Sequence, residues 1–162
     1  MVKNKHIDIL VIGSGPGGYA AAFRAADLGR KVMLVDKDPT LGGVCLNRGC
    51  IPSKTLLHIA KVLEEAESLK KMGVTFSKPK IDINSVRNWK NKVVSQLSNG
   101  IGQMAKARKV ETVQAEATFL SNTKVELKTD SKKETVTFDH CIIAAGSSSS
   151  VIPGIPFEND NV

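Results

Sequence analysis

The sequence predicts an α/β fold: a parallel sheet with flanking helices and a small β-hairpin or meander. Three observations predict it. Two short apolar runs, Ile7 to Ile12 and Lys31 to Val35, bracket an Ala-rich stretch from Tyr19 to Leu28, the size and order of one βαβ unit. A glycine cluster, Gly13-Ser14-Gly15-Pro16-Gly17-Gly18, stands at the first strand-to-helix turn. A later apolar run, Cys141 to Ala145, closes on Gly146 and reads as another buried parallel strand.

The elements follow in order. Ile7 to Ile12 is apolar except for Asp8, as a strand covered on both faces should be. The helix from Tyr19 to Leu28 has Gly29 as its stop, and the strand after it ends at Asp36. Pro39 to Gly43 reads as a loop leading to two cysteines. From Ser53 to Lys71 the residues Leu56, Leu57, Ala60, Leu63 and Ala66 have helical spacing, and Gly73 to Lys80 reads as a loop with a short extended piece. A long amphipathic helix is expected over Asn84 to Ala107, with Val86, Val93, Val94, Leu97, Ile101 and Met104 as its stripe. Val110 to Leu120 reads as extended. Lys124 to Lys128 and Thr135 to Phe138 alternate like hairpin strands around the polar turn Thr129 to Lys133. The division expected is a domain over residues 1–147 and a Ser-, Pro- and Gly-rich connector over 148–162.

Composition bounds the function. With 162 residues the chain is long enough for one domain with a core, and 41% hydrophobic with 24% charged residues is a globular balance. Only 4% of residues are aromatic, and the lysines behind the net charge of +7 are spread out, which argues against a nucleic-acid platform. The apolar runs are strand-sized, so no membrane span is expected. The start of the chain has neither a signal core nor an Arg-rich transit pattern, and three cysteines are too few for a secreted disulfide framework; a cytoplasmic setting is the default.

Gly13, Gly15 and Gly18 fit the dinucleotide fingerprint G-x-G-x-x-G in the strand–turn–helix–strand–acid context that gives the motif its meaning. The first glycine lets the chain turn, the second lets backbone approach a pyrophosphate, and the third lets helix pack on strand. The helix N-terminus offers N–H donors to phosphate, and Asp36 is placed to accept hydrogen bonds from ribose hydroxyls. The alternative is a glycine-rich turn with no ligand. The fingerprint does not separate FAD from NAD, but the acid disfavours NADP, whose 2′-phosphate it would repel.

Cys45 and Cys50 form C-x4-C. On an ideal helix, residues five apart have Cα atoms roughly 8.6 Å apart, beyond the roughly 7 Å reach of a disulfide. A bridge here therefore needs a distorted turn, for which Gly49 supplies freedom, and Pro52 starts or kinks the helix that follows. Read alone, the pair is a redox disulfide, two unrelated buried cysteines, or half a zinc site. His6, His58 and His140 are too widely spaced to complete the last, so no metal site is expected. Cys141, in an apolar strand, reads as an inert core residue.

The segment Gly42 to Lys54, GGVCLNRGCIPSK, resembles the redox motif of the pyridine nucleotide–disulfide oxidoreductases. Within that family, Leu41 through Lys61 most closely resembles the dihydrolipoamide dehydrogenases; Ser53 favours them over the glutathione reductases, where a Lys is usual, and the helix after the motif favours them over the mercuric reductases. Trp89-Lys90 and Met104-Ala105-Lys106 extend the likeness along the chain.

The resemblance implies a Rossmann-like FAD-binding domain. It makes Cys45 and Cys50 a redox disulfide, Cys45 exchanging with the substrate dithiol and Cys50 contacting the flavin as a charge-transfer thiolate. It implies cofactor contacts at Gly13, Ser14, Gly15, Pro16, Gly17 and Gly18, at Asp36 and Lys37, and at Gly42, Gly43, Val44 and Cys45. It further implies Lys54 beside the flavin, Ala117 in the Ala115-Glu116-Ala117 stretch near the adenine, and Ala145, Gly146 and Ser147 at a second contact segment. Alternatives are a solvated Lys54, another disulfide reductase of the superfamily, and a flavin-binding module without catalysis. Enzymes of this kind oxidise dihydrolipoamide and pass electrons to NAD, work as homodimers, and serve the lipoyl domains of 2-oxo acid dehydrogenase or glycine cleavage complexes. They also carry a nicotinamide-binding domain, an interface domain with a His–Glu acid–base pair, and a later Gly-Asp strand. This polypeptide alone is therefore expected not to turn over lipoamide with NAD.

Overall fold

A computed structural model describes residues 5–148 and 150–154. Its centre is a six-stranded sheet in the order β3-β2-β1-β6-β5-β4. The strands are β1 (Lys5–Ile12), β2 (Val32–Asp36), β3 (Glu111–Gln114), β4 (Glu116–Ser121), β5 (Lys124–Lys128) and β6 (Lys133–Ile143). β1, β2, β3 and β6 run parallel, and β4-β5-β6 is an antiparallel meander. The helices are α1 (Pro16–Asp27), α2 (Gly43–Asn47), α3 (Cys50–Ser68), continued by a short 3₁₀ turn, and α4 (Ile83–Ala107).

The apolar runs are buried because both faces of the central strands are covered. Val32 and Leu34 of β2 point into a cluster with Ala22 and Phe23 of α1 and Ile101 and Ala105 of α4. Met33 and Val35, the alternate residues, meet Val125 and Leu127 of β5 and Val136 and Phe138 of β6. The meander therefore supplies the second face that helices cover elsewhere in such sheets. Arg108, after α4, pairs with Asp27 at 3.0 Å and stacks over Phe23, tying α4 to the end of α1. Asp82 caps α4 by accepting from the Asn84 and Ser85 amides.

The structure corrects several expectations. Thr135 to Phe138 and Cys141 to Ala145 are not separate strands: β6 is one strand, antiparallel to β5 along its first part and parallel to β1 from Val136 onward. Asp139 and His140 interrupt the apolar pattern but not the backbone pairing, because both side chains are exposed. α1 begins at Pro16 rather than near Tyr19, and α3 at Cys50 rather than Ser53, since a proline in a first helical turn lacks only an N–H that would have had no partner. Cys141 is half-buried against the second cluster, where desolvation pushes its thiol pKa up. α3 buries no residue, and Leu56, Leu57 and Val62 stand exposed along it. Of the expected connector, Ser149 and residues 155–162 lie outside the described residues. Among those described, no helix is long and apolar enough to cross a membrane.

Candidate functional site

The site lies beyond the carboxyl ends of β1, β2 and β6. There the chain leaves β1 for neighbours on opposite sides, the position where open α/β sheets hold ligands. A cleft of about 930 Å3 opens at this edge. Its walls come from Gly13 and Gly15 to Gly17 after β1, Asp36 to Asp38 after β2, Gly43 to Cys45 and Arg48 around α2, and Ala144 to Ser148 after β6.

The glycines divide into two kinds. Gly13 has φ +100°, and a Cβ there would overlap the Ala144 carbonyl; a Cβ on Gly18 would overlap the Gly13 carbonyl. Gly43, at φ +60°, would place a Cβ 2.6 Å from the Gly15 Cα. These three let backbone pack on backbone. Gly15 and Gly17 differ: a Cβ on either meets nothing within 4 Å, and both face the cleft. Gly15 caps α1 without a side-chain bond, so the first amides of that helix open on a bare glycine surface. Such a surface fits the pyrophosphate of a dinucleotide, which needs free N–H donors and close backbone approach.

Behind this wall Ser14 is fully buried. Its amide and its hydroxyl each donate to Asp36 Oδ2 at 2.6 Å, and the Asp38 amide donates to Asp36 Oδ1 at 2.9 Å. Burial alone would raise the Asp36 pKa. The hydrogen bonds from Ser14 and Asp38, with the charge of Lys37, outweigh it and hold the carboxyl below its ordinary value.

Cys45 and Cys50 are joined by a disulfide, with Cα atoms 4.7 Å apart. The distortion this requires is a break between helices: α2 ends at Asn47, Arg48 and Gly49 turn the chain, and Cys50 opens α3. Gly49 keeps a negative φ of −122°, and a Cβ there would lie 3.3 Å from the Val44 carbonyl oxygen, so its part is close packing rather than left-handed freedom. The bond accounts for both cysteines without a metal. Among the described residues no group of three or more His, Cys, Asp or Glu is placed to hold one.

Of the residues singled out in the sequence, Gly13, Gly15, Pro16, Gly17, Asp36, Lys37, Gly43, Val44, Cys45, Ala145, Gly146 and Ser147 border the cleft together. Ser14, Gly18 and Gly42 stand behind them; Gly42, at φ +111°, donates its amide to the Ser14 carbonyl at 3.0 Å. Cys50 lies behind Cys45 as its bonded partner. Two residues are not brought to the cleft. Lys54 is exposed one turn into α3, with no carboxylate partner among the described residues. Ala117 packs with Ala115 into the meander core, and Ala115 and Glu116 border a neighbouring hollow with Lys37. Sequence reasoning missed Arg48, which forms an ion pair with Asp38 at the cleft, and Ser148.

A sheet-edge dinucleotide cleft with a disulfide in its wall defines a class, and comparison with known proteins agrees. The chain belongs to the pyridine nucleotide-disulphide oxidoreductase family, whose family model matches residues 7–162. Its relatives include proteins named dihydrolipoyl dehydrogenase. That of Vibrio cholerae is 48% identical over 162 residues, all of this chain and 34% of the relative. That of Haemophilus influenzae is 50% identical over 163 residues, covering 100% of this chain and 34% of the relative. That of Bacillus subtilis is 44% identical over 150 residues, 93% of this chain and 32% of the relative. The chain thus spans about a third of the length of these relatives.

Proposed function

We propose that this chain is the FAD-binding, redox-disulfide portion of a dihydrolipoyl dehydrogenase, an enzyme that oxidises dihydrolipoamide to lipoamide and delivers the electrons to NAD. The observation that carries this reading is that Cys45 and the bare backbone of Gly15 and Gly17 face one cleft. A flavin bound there supplies a two-electron acceptor beside the disulfide.

The chain's own residues set up the exchange. A thiolate of the dithiol substrate attacks Cys45 Sγ, the Cys45–Cys50 bond breaks, and Cys50 leaves as a thiolate. The second substrate sulfur then displaces Cys45, closing the substrate disulfide and leaving both cysteines reduced. The α1 N-terminus holds the pyrophosphate and Asp36 the adenosine ribose, while Gly13, Gly18, Gly42 and Gly43 keep the loops close enough to do so. Ala145, Gly146 and Ser147 border the cofactor from β6, Lys54 approaches the flavin, and Ala117 lies on the adenine side. Residues 1–147 form the FAD-binding portion and 148–162 lead toward an NAD-binding domain. In its complete form the enzyme is a cytoplasmic homodimer serving the lipoyl domains of 2-oxo acid dehydrogenase or glycine cleavage complexes.

The test is an absorbance titration of the purified chain with FAD, followed by mild reduction. A bound flavin spectrum that gains a long-wavelength band, lost in Cys50→Ser, is the expected result. Failure to take up FAD, or a band indifferent to Cys50, refutes the reading. In the complete enzyme, faster reduction by glutathione than by dihydrolipoamide would assign the site to another disulfide reductase.

A further inference from the structure

Asp36 is more heavily committed than an acid awaiting a ribose needs to be. An ionised carboxylate offers about four acceptor positions, two on each oxygen. Both positions on Oδ2 are taken, by the Ser14 amide and the Ser14 hydroxyl, and one on Oδ1 is taken by the Asp38 amide. Ser14 is wholly buried, so no water replaces its hydroxyl when the cleft fills. Asp36 nevertheless borders the cleft.

We propose that Ser14 is a positioning residue for the cofactor's adenosine ribose: it turns Oδ2 of Asp36 inward, leaving one acceptor position, on Oδ1, for a single ribose hydroxyl. This rests on the FAD reading above and deepens it. The consequence is a one-point hold on the ribose. Ser14 touches no part of the ligand; it acts by fixing the carboxylate's rotation and keeping it ionised. The other charged groups on that rim are Lys37, Asp38 and Arg48, and the Arg48 charge is already paired with Asp38.

Two measurements on the full chain decide it. The first is FAD affinity across pH, read by flavin fluorescence, for the unaltered chain and Ser14→Ala, and for FAD analogues lacking the adenosine 2′- or 3′-hydroxyl. Hydrogen bonds to a charged group are the strong kind, so Ser14→Ala should weaken FAD about tenfold. Its loss of affinity in acid should also begin at higher pH. One deoxy analogue should bind about tenfold weaker and the other almost as well as FAD. Equal losses for the two analogues, or an acid limb unmoved by Ser14→Ala, overturn the inference while leaving FAD binding intact. The second is urea unfolding of Ser14→Ala, Asp36→Asn and the double variant without cofactor. If Ser14 acts through Asp36, the double variant is little less stable than Asp36→Asn alone; additive losses overturn the inference. Failure of the unaltered chain to bind FAD would instead sink the reading beneath it, and the urea cycle would still decide whether Ser14 holds Asp36.

Discussion

Gly43 and Gly17 should respond to the same substitution in opposite ways. In Gly43→Ala the new methyl sits 2.6 Å from the Gly15 Cα and 3.2 Å from its nitrogen, backbone atoms that cannot swing aside. The residue must also hold φ +60°, which costs an L-amino acid about 1–2 kcal/mol, and overpacking adds about 1–3 kcal/mol. The sum, about 2–5 kcal/mol, is a large share of the roughly 5–15 kcal/mol that holds a typical domain together. In Gly17→Ala the methyl meets nothing within 4 Å, and the position lies inside α1. There Ala favours the helix by about 0.5–1 kcal/mol over Gly. The same methyl, however, stands on the cleft wall where a phosphate must approach. The assay is urea unfolding with the disulfide intact, followed by FAD titration. With a slope of about 1–3 kcal/mol per molar, Gly43→Ala should move the midpoint down by roughly 1–2 M. Gly17→Ala should leave it level or raise it while weakening FAD at least tenfold. A Gly43→Ala chain as stable as the unaltered one, or a Gly17→Ala chain with full FAD affinity, would refute the division of the glycines into packing and ligand-facing kinds.

Three further outcomes follow from other parts of the chain. Opening the Cys45–Cys50 ring with dithiothreitol should cost at most about 2 kcal/mol, because the closed loop is short; a Cys45→Ser, Cys50→Ser chain should show no dithiothreitol response, and a much larger loss would mean that the bond holds the core. Asp36 has a folded-state pKa below 3.8, so its hydrogen bonds contribute stability above that pH and lose it as pH falls through the lowered value. The stability gap between the unaltered chain and Asp36→Asn should therefore be full near neutrality and close in acid, and a gap constant from pH 7 to pH 2 would contradict this. Leu57 and Val62 are exposed on α3, so Leu57→Glu with Val62→Lys should reduce binding of a hydrophobic dye and leave the urea midpoint within experimental error; a lowered midpoint would mean that these side chains are packed.

What the sequence made legible was whatever repeats with a short period or has a local cause. Val32 to Val35 announce a doubly covered strand because every side chain is apolar, and every one is buried. The glycine turn announces itself because its demands are met within six residues. The errors came where long-range pairing overrode local pattern. Asp139 and His140 look like the end of a strand, yet β1 continues to pair with β6 past them, and His6 on β1 meets the Asp139 carboxylate at 3.3 Å. Asp38 and Arg48 are ten residues apart across a loop, so no periodicity links them; only the turn that closes the disulfide brings the guanidinium to the acid. The Ala115-Glu116-Ala117 stretch shows local pattern holding. By strand alternation Ala115 and Ala117 share the face turned to the meander core, while Glu116 between them is exposed beside Lys37.

The two chemical motifs are one structural unit, and this explains their order in the chain. The Gly42 amide bonds to the Ser14 carbonyl, Gly43 packs on Gly15, and Asp36 accepts from Ser14, so two segments meet on the fingerprint loop. Two residues beyond Gly43 stands Cys45, within the first turn of α2. The disulfide is thus placed from the same backbone atoms that shape the phosphate-facing surface, with no flexible spacer between them. Because interiors packed this closely shift as units rather than deform smoothly, a change that moves Gly15 should move Cys45 with it. On the function proposed above, a cofactor seated by the first motif would be held at a fixed offset from the second, the constancy of position that electron transfer between disulfide and flavin would require.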